Sequence, residues 1–449
     1  MTTSRALPVL PDSELAAYTG KLQASGAHVL AGSMVDMAGV ARAKSVPIGR
    51  ADAFHRSGMG APPVWNAFCV DNAIAFTDRV TVVGDLRMRA DLTAAVVLDE
   101  GWAWAPAELF HQDGSPFDGC ARGRLRALQA DTEAHGLRAL VGTELEFVLA
   151  AGDAPLPHGQ WQPYGLGALF AAERFVADLE ESLADAAVPV QQLHAEYAGH
   201  QFEISLAPDE PLRAADHAVL ARLVISRVAR GHGLQASFSP QPDAADAGNG
   251  AHVHLSLTRD GAPLLSGGNG PHGLTDGGAA ALAGIVAGLP DLLGVFAGSL
   301  LSAQRLQPGR WSGAFACWGL ENREAAVRLI AATAGNPLGA NVELKCVDPS
   351  ANPYLALAAL LGLALDGLDR GLPLPAETPV NPAEHPDAVR LPDRQPDVLD
   401  LLAGSALAAS ILGAEIHDAL LAVRRHEVAT YADVPVEQLA ERFRFAWTS

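Results

Sequence analysis

The chain has 449 residues, a length that corresponds to about two or three domains of ordinary size. With 49% hydrophobic and 18% charged residues, the sequence is too apolar for a disordered protein. The 31 Lys and Arg residues against 51 Asp and Glu residues give a net charge of −20. This excess argues against a general binder of nucleic acids or anionic membranes, because both need basic surfaces.

In chain order, the first part of the sequence predicts one helix followed by several short strands. Helical spacing covers residues 12–26, where Asp12 and Ser13 are residue types that cap a helix N-terminus. Turn-forming Gly, Pro and Asp separate the strand-like segments that follow, at residues 28–31, 33–36, 40–46, 80–83, 94–98 and 102–106. The pattern changes after a turn cluster at residues 113–116, so we expect a small N-terminal domain of residues 1–113.

The remainder, residues 114–449, predicts one large α+β domain. Helical spacing is found at residues 122–135, 170–187, 211–230, 277–294, 353–368 and 397–425. Strand patterns are found at residues 139–149, 188–195, 201–206, 234–239 and 251–258. The proline-rich stretch 373–396 is typical of a surface loop.

Cysteine usage and the absence of targeting signals indicate a compartment. The four cysteines, Cys69, Cys120, Cys317 and Cys346, are far apart and predict free thiols in a reducing environment. Residues 1–16 lack the basic start and apolar run of a signal peptide. The longest uncharged apolar stretch, residues 349–365, is divided by Pro353 and is too short for a clean membrane span. We therefore expect a soluble cytoplasmic protein.

One segment matches a nucleotide-binding motif in its residue types but not in its structural context. Residues 268–273 read G-N-G-P-H-G and match GxGxxG, but they include Pro271 and lie in a polar stretch without the flanking strand and helix that the motif needs. We expect a turn there. The sequence contains no Walker A loop either, so a nucleotide would have to be held in another way.

Glutamates on a predicted strand are the first sign of a functional site. Glu144 and Glu146 lie two residues apart and share one face of the strand, whereas Leu145 and Phe147 would face a core. Two carboxylates on a buried strand are costly unless a cation neutralises them, which suggests a metal site. A solvated strand edge is the alternative that this pair alone leaves open.

Three further segments favour the metal site, because each places polar side chains on one face of a strand or at a strand end. Their side chains are, in chain order, Glu196 and Glu203, then His252, His254 and Ser256, then Glu343 and Lys345. A His-x-His pair alone is more often structural than metal-binding. Five strand-borne glutamates with such a histidine favour a hard cation, Mg²⁺ or Mn²⁺, since the set has no thiolate.

Three arginines, Arg305, Arg323 and Arg328, add a cationic counterpart to this acidic set. The guanidinium group grips carboxylates and phosphates through two parallel hydrogen bonds. Each arginine alone would be interpreted as a surface residue. Beside an acidic metal site they suggest metal-bridged phosphate chemistry.

In this order, the motifs make the chain resemble the glutamine synthetase superfamily over nearly its whole length. The motifs are G-T-E-L-E-F at 142–147, Glu196 with Q-F-E at 201–203, G-N-G-A-H-V-H at 248–254, Asn322-Arg323 with Arg328, and Glu343 with N-P-Y at 352–354. Residues 35–44 are similar to the β-grasp domain of that family. The resemblance implies an α+β protein with an N-terminal β-grasp domain, followed by a catalytic domain with an antiparallel sheet flanked by helices.

The resemblance also implies a role for each site residue. Glu146, Glu196 and Glu203 would hold one metal ion, and Glu144, His252 and Glu343 a second. His254, Ser256 and Arg328 would contact the nucleotide and its phosphates. Gly248, Arg305 and Arg323 would contact glutamate or the transferred phosphoryl group. The implied cofactors are ATP and two or more Mg²⁺ or Mn²⁺ ions. In the family's reaction, ATP phosphorylates the γ-carboxylate of glutamate and an amine then displaces phosphate.

The departures from the family pattern concern the ammonium site. Enzymes that make glutamine carry an Asp-Gly-Ser-Ser-type loop, and the corresponding residues 63–71 lack it. The family's glutamate that helps bind and deprotonate ammonium falls at Trp311, and a cationic substrate contact that is usually Arg is Lys345. An indole suits the alkyl part and the charged head of an organic amine. This pattern resembles the γ-glutamyl-amine ligases, which act on polyamines, ethanolamine or small monoamines. The alternative is that Trp311 only packs its own loop.

Three functions are therefore weighed. We expect an ATP-dependent ligase that couples glutamate to an organic amine, with Arg305, Arg323 and Trp311 in the catalytic site and Asp71 as a candidate base. The alternatives are an ordinary glutamine synthetase using ammonia and a catalytically silent regulatory paralogue. The silent paralogue is disfavoured because all six implied metal ligands are present. The resemblance further implies a homododecamer of two hexameric rings, with small-molecule substrates and no nucleic-acid or membrane partner.

Overall fold

The computed structural model describes residues 5–98, 101–151 and 161–448, and within them the strands form two sheets. The first sheet contains β1 (Val29–Val35), β2 (Ala41–Pro47), β3 (Met59–Ala61), β4 (Leu86–Ala90), β5 (Val96–Val97) and β6 (Trp102–Phe110). Their order is β2-β1-β6-β4-β3, with β5 also beside β6. β1 runs parallel to β6, and the other pairs are antiparallel. Helices α1 (Asp12–Ala24) and α2 (Ala51–Arg56) share one apolar core with this sheet.

The second sheet has nine strands and forms the centre of the larger part of the molecule. The strands are β7 (Leu137–Ala150), β8 (Val190–Ala195), β9 (Gln201–Asp209), β10 (Gln235–Ser237), β11 (Val253–Arg259), β12 (Ala262–Pro263), β13 (Phe315–Leu320), β14 (Ala325–Ile330) and β15 (Asn341–Leu344). Their order is β13-β14-β15-β11-β7-β9-β8, with β10 also on β7 and β12 on β11. The sheet is antiparallel as predicted, except that β13 and β14 run parallel.

Helices pack with the second sheet in one continuous apolar core. They are α3 (Ala121–Ala134), α4 (Leu166–Phe170), α5 (Glu173–Asp185), α6 (Pro211–Gly231), α7 (Asp276–Phe296), α8 (Ser302–Arg305), α9 (Pro353–Arg370), α10 (Gln395–Gly404), α11 (Ala406–Leu412), α12 (Ala414–Thr430) and α13 (Val436–Phe443). α7 is long and apolar enough to cross a membrane by composition, but 72% of its apolar window is buried inside the protein. It is therefore a core helix, which packs against α9 and α10.

A buried ionic network joins the two parts of the chain. The Arg122 guanidinium on α3 lies 2.7 Å from the Glu108 carboxylate on β6 and 2.8 Å from the Asp216 carboxylate on α6. Arg126 and Asp91 complete the network, with Arg126 Nη2 3.2 Å from Asp91 Oδ2. The Tyr354 hydroxyl donates to Asp216 Oδ1 at 2.8 Å, which extends the network to α9. The five charged side chains are at most 9% exposed, and the two guanidinium groups offset most of the charge of the three carboxylates.

Most of the predicted elements are present. The segments 28–31 and 33–36 form the single strand β1, and α1 begins at Asp12 after Pro11 without a side-chain cap. Two elements were predicted wrongly. The expected helix 397–425 is three helices, because the chain turns at Ser405, which caps α11, and at Gly413, whose φ is +80°. The expected strand 80–83 has no strand partner in the described chain, and Val82 is 81% exposed. Residues 268–273 form a turn, as predicted, and residues 373–394 form a loop that contains a 3₁₀ turn at Pro382–Glu384, with α10 beginning at Gln395. The domain boundary after residue 113 falls between β6 and α3 and stays a prediction.

Candidate active site

The alternation of β7 separates an apolar face from an acidic face. Leu145, Phe147 and Leu149 are buried in the core, where the Phe147 ring stacks on Phe202 with 6.0 Å between ring centroids. Glu144 and Glu146 point to the opposite face of the strand and are only partly buried. The strand therefore supports the core with one set of side chains and a polar site with the other.

Strand register brings the other predicted residues to the acidic face. Glu146 on β7 lies directly opposite Glu203 on β9, and Glu203 lies opposite His194 on β8. On the other side of β7, His254 on β11 lies opposite Glu343 on β15. Cross-strand pairs of this kind have neighbouring side chains, so residues that are about 200 positions apart in the chain meet at one surface.

Three groups of side chains have ligand atoms close enough to share a metal ion. Within each group, the nitrogen and oxygen atoms lie within 4.8 Å of one another. The groups are Glu144, His254 and Glu343; Glu144, Glu203 and His252; and His194, Glu196 and Glu203. All the ligands predicted from the sequence except Glu146 occur in these groups, in combinations that differ from the two implied sets. His194 was missed, although it lies two residues before Glu196 and faces the same side.

The pKa values of these carboxylates reflect both the negative charge of their neighbours and the cationic groups beside them. Burial raises the pKa of Glu144, but hydrogen bonds with His252 and His254 outweigh this and hold it well below its usual range. Burial also raises the pKa of Glu343, but the nearby Lys345 ammonium lowers it, and the pKa is about 2. Burial raises the pKa of Glu203 well above normal, and the Glu144 and Glu146 carboxylates add to the rise. These oxygen and imidazole donors, with their surplus negative charge, fit hard divalent cations.

A glutamine that the sequence analysis did not interpret organises Glu146. Gln201 Nε2 lies 3.0 Å from Glu146 Oε2, 3.0 Å from the carbonyl oxygen of Gly248, and 2.9 Å from Asn249 Oδ1. The backbone N–H of Gly250 donates to the same Glu146 oxygen at 2.8 Å. Gln201 thus connects a predicted metal ligand to the glycine-rich loop. Its position two residues before Glu203 on one strand was the available signal, since strand side chains alternate.

The glycine-rich loop passes too close to the site for larger residues. A Cβ on Gly248 would lie 2.2 Å from the carbonyl oxygen of Pro240 and 2.9 Å from Arg305 Cβ. A Cβ on Gly250 would lie 2.6 Å from His252 Nε2. Side chains are therefore excluded at both positions, and the backbone of the loop borders the acidic cluster.

Arg305 and Lys345 are buried and place positive charge beside the acidic cluster. Arg305 is 5% exposed, and its Nη2 lies 3.1 Å from His252 Nε2 and 3.1 Å from the carbonyl oxygen of Lys345. Arg305 Nη1 is buried without a hydrogen-bond partner in the described chain, so an anionic ligand would satisfy it. Lys345 Nζ lies 3.0 Å from Glu343 Oε1.

The remaining predicted contacts lie at the border of the cluster. Arg328 Nη1 donates to Glu343 Oε2 at 3.0 Å. Ser256 lies on β11 two residues beyond His254 and on the same face, and it is half-buried. Arg323 is exposed and makes no ion pair with any described residue. The structure thus brings Arg328 to the cluster, whereas Arg323 extends into solvent.

Trp311 occupies an exposed position in the loop between α8 and β13. Its side chain is 55% exposed, and its backbone has a positive φ of 51°. Its backbone N–H donates to Glu324 Oε1 at 2.9 Å. More than half of the residue therefore faces solvent, and its role as a contact for the amine stays a prediction. Asp71, the candidate base, accepts a hydrogen bond from the Tyr431 hydroxyl at 2.8 Å.

Comparison with known proteins shows which family has this arrangement of residues. Residues 118–443 match the family model of the glutamine synthetase catalytic domain. The chain belongs to the glutamine synthetase family. The family is one of ligases, so the predicted enzyme class and fold are confirmed, and its members generally use ATP and divalent metals.

This member of the glutamine synthetase family is similar to the following three proteins over nearly the full length of each chain. It is 38% identical to the gamma-glutamylpolyamine synthetase GlnA3 of Streptomyces coelicolor over 96% of each chain. A solved structure described as a novel glutamine synthase homolog has a TM-score of 0.86 and 32% identity, over 94% of this chain and 99% of the other. A GmaS/ADP complex has a TM-score of 0.82 and 26% identity, over 94% of this chain and 97% of the other.

Proposed function

We propose that the protein is an ATP-dependent ligase that joins the γ-carboxyl group of L-glutamate to an organic amine. The products would be a γ-glutamyl amide, ADP and phosphate. The observation that carries the proposal is Trp311, an exposed indole at the position where the resemblance expects the ammonium-binding glutamate. The similarity to a protein named gamma-glutamylpolyamine synthetase supports a polyamine as the acceptor, with ethanolamine and small monoamines as the other candidates.

The acidic cluster would hold the metal ions. We infer that Glu146, Glu196 and Glu203 hold one Mg²⁺ or Mn²⁺ ion and that Glu144, His252 and Glu343 hold another. Bound there, divalent cations would neutralise the carboxylates and the phosphate oxygens. The surplus negative charge around Glu203 supports this assignment, because it is the feature that a cation would offset. His254, Ser256 and Arg328 would contact the nucleotide and its phosphates.

Arginine and lysine side chains would bind glutamate and stabilise the charge that develops on it. The buried, unpartnered Nη1 of Arg305 supports a contact to the substrate carboxylate or to the transferred phosphoryl group. Gly248 and Lys345 would complete this subsite, and Arg323, which extends into solvent, would join it by turning toward the bound glutamate. The γ-carboxylate oxygen would attack the terminal phosphorus of ATP, with ADP as the leaving group. The neutral amine nitrogen would then attack the carbonyl carbon, and the bond to the phosphate oxygen would break.

An organic amine suits the acceptor side better than ammonium does. Ammonium would lose hydration at a site without the carboxylate that receives it, a cost of several kcal/mol. An alkylamine offsets part of this by about 0.8 kcal/mol for each methylene that it buries. A charged head over the Trp311 indole would add about 0.5–2 kcal/mol. The free-energy balance therefore favours the organic amine.

The proposed assembly rests on the family, and the proposed location rests on the sequence. Members of the glutamine synthetase family are generally oligomeric and bind small substrates. We propose a cytoplasmic homododecamer of two hexameric rings, in which the N-terminal domain of one subunit borders the active site of the next. Light scattering would test this: we expect one species of dodecamer mass, and a fully active monomer would contradict the proposal.

The direct test of function is ADP release with glutamate and a panel of acceptors. The panel should contain putrescine, spermidine, ethanolamine, methylamine and ammonium chloride at equal concentrations, with a reaction lacking glutamate as the control. We expect turnover with at least one organic amine and little with ammonium. If ammonium is the best acceptor, the protein is an ordinary glutamine synthetase. If no acceptor supports turnover, it is a silent paralogue.

A further inference from the structure

The loop that carries Trp311 has an unfavourable backbone conformation that other contacts must hold in place. We define residues 306–313, between α8 and β13, as the acceptor loop. Trp311 lies in the left-handed region with φ of 51°, which bulky residues seldom adopt unless their surroundings impose it. Its indole is 55% exposed, so the side chain itself does not hold the backbone in place. The anchor must therefore act on the backbone.

Glu324 supplies that anchor. Its Oε1 accepts the N–H of Trp311 at 2.9 Å, and its Oε2 accepts the N–H of Gly309 at 3.2 Å. The residue is 8% exposed and makes no ion pair with any described side chain, so these two backbone groups are the compensation visible for its carboxylate. Its own position is fixed by Asn322, whose Oδ1 accepts the Glu324 N–H at 3.1 Å.

The first half of the loop has separate anchors. Gln307 Nε2 donates to the carbonyl oxygen of Ala303 at 2.6 Å, and Arg390 Nη2 donates to Gln307 Oε1 at 2.9 Å. Arg305 precedes the loop and is held by its own contacts to His252 and Lys345. Loss of the Glu324 carboxylate would therefore free the backbone N–H groups of Gly309 and Trp311 without displacing Arg305, while Arg310 would keep its hydrogen bond to the carbonyl oxygen of Asp246.

We propose that Glu324 is the positioning residue of the acceptor site, which fixes Trp311 and thereby sets selection of the amine. The inference rests on the proposed function, in which Trp311 contacts the acceptor. It assigns a role to a carboxylate that lies outside the metal cluster and acts through the backbone of another residue. The consequence is a split in the kinetics, because glutamate binding depends on groups that have other anchors.

The experiment measures KM for the acceptor and for glutamate in Glu324→Ala, Glu324→Gln, Trp311→Gly and the double variant Glu324→Ala/Trp311→Gly. We expect Glu324→Ala to raise the acceptor KM about tenfold or more, since both charged hydrogen bonds are lost, while the glutamate KM changes less than about twofold. Glu324→Gln keeps one acceptor oxygen and should give a smaller increase. Glu377→Gln is the control, because Glu377 also accepts a backbone N–H, from Leu320 at the end of β13, and its other hydrogen bond is to His272, outside the acceptor loop.

The double variant separates positioning from general stability. If Glu324 acts through Trp311, adding Glu324→Ala to Trp311→Gly should leave the acceptor KM nearly unchanged. An additive effect, equal increases in both KM values, or an unchanged acceptor KM in Glu324→Ala would overturn the inference. The measurements use whichever acceptor the wild-type enzyme prefers. A preference for ammonium would refute the proposed function, whereas an unmoved acceptor KM in Glu324→Ala would refute only the role of Glu324.

Discussion

Replacing Gln201 with leucine should weaken metal activation, although Gln201 is not itself a predicted ligand. The substitution keeps a similar volume at a side chain that is only 1% exposed. It removes one of the two hydrogen bonds described for Glu146 Oε2 and leaves Gly248 O and Asn249 Oδ1 without their amide partner. Loss of a group that orients a metal ligand typically lowers metal affinity by about 10–100-fold.

The assay is ADP release at saturating ATP, glutamate and acceptor, titrated with Mg²⁺. We expect the Mg²⁺ concentration for half-maximal activity to rise by about 10–100-fold in Gln201→Leu. Gln192→Leu is the control, because Gln192 is exposed on the same sheet and, among the described residues, its Nε2 donates only to Ser205 Oγ, at 3.1 Å. An unchanged Mg²⁺ dependence in a folded Gln201→Leu enzyme, or an equal shift in the control, would refute this reasoning.

Three further predictions concern the metal cluster and the buried charges. Glu343→Ala should abolish ADP release at saturating Mg²⁺ with a near-wild-type circular dichroism spectrum, and unchanged turnover would remove its assignment as a ligand. Arg122→Met should lower stability by about 3–5 kcal/mol, because Asp216 would stay buried without its cation and Asp91 and Glu108 would share only Arg126. Thermal melting measures this loss, and a melting temperature equal to wild type would contradict it. Burial raises the pKa of Asp36 from 3.8 to about 6, against the opposing effect of Arg42. Its stabilising contribution is therefore complete below pH 3.8 and lost as the pH rises through 6. Relative to Asp36→Asn, wild type should lose roughly 3 kcal/mol between about pH 4 and pH 7, and parallel pH profiles in denaturant unfolding would refute this.

The β7 site could be predicted because its information is local. A strand places alternate residues on opposite faces, so the spacing of Glu144 and Glu146 against Leu145 and Phe147 separates site from core without any tertiary knowledge. The same rule applied to β9 would have placed Gln201 beside Glu203. The sequence of β9 alone does not single out Gln201, because a glutamine carries no charge that demands a partner.

The grouping of the ligands could not be predicted in the same way. Which imidazole approaches which carboxylate depends on the register between strands that are distant in sequence, such as β11 against β15. The resemblance implied two separate sets, whereas the side chains as they stand bring His254 to Glu144 and His194 to Glu196. The sequence-level assignment of ligands to individual ions therefore stays a prediction.

The elements that were predicted wrongly share a different cause. Residues 397–425 keep an apolar helical spacing across Ser405 and Gly413, and the breaks come from capping and backbone geometry instead of hydrophobicity. Val82 and Val83 have the composition of a strand, but a strand forms only where a partner edge is available. In both places the local pattern was compatible with more than one structure.

The ionic network around Arg122 has a consequence for how the chain matures during synthesis. Asp91 and Glu108 are synthesised before Arg122 and Arg126, and the Tyr354 hydroxyl, which donates to Asp216, follows more than two hundred residues later. Until the two arginines are present, burying Asp91 and Glu108 would enclose carboxylates without these cations, which is strongly unfavourable. Burial of these two carboxylates therefore depends on α3, which belongs to the second part of the chain.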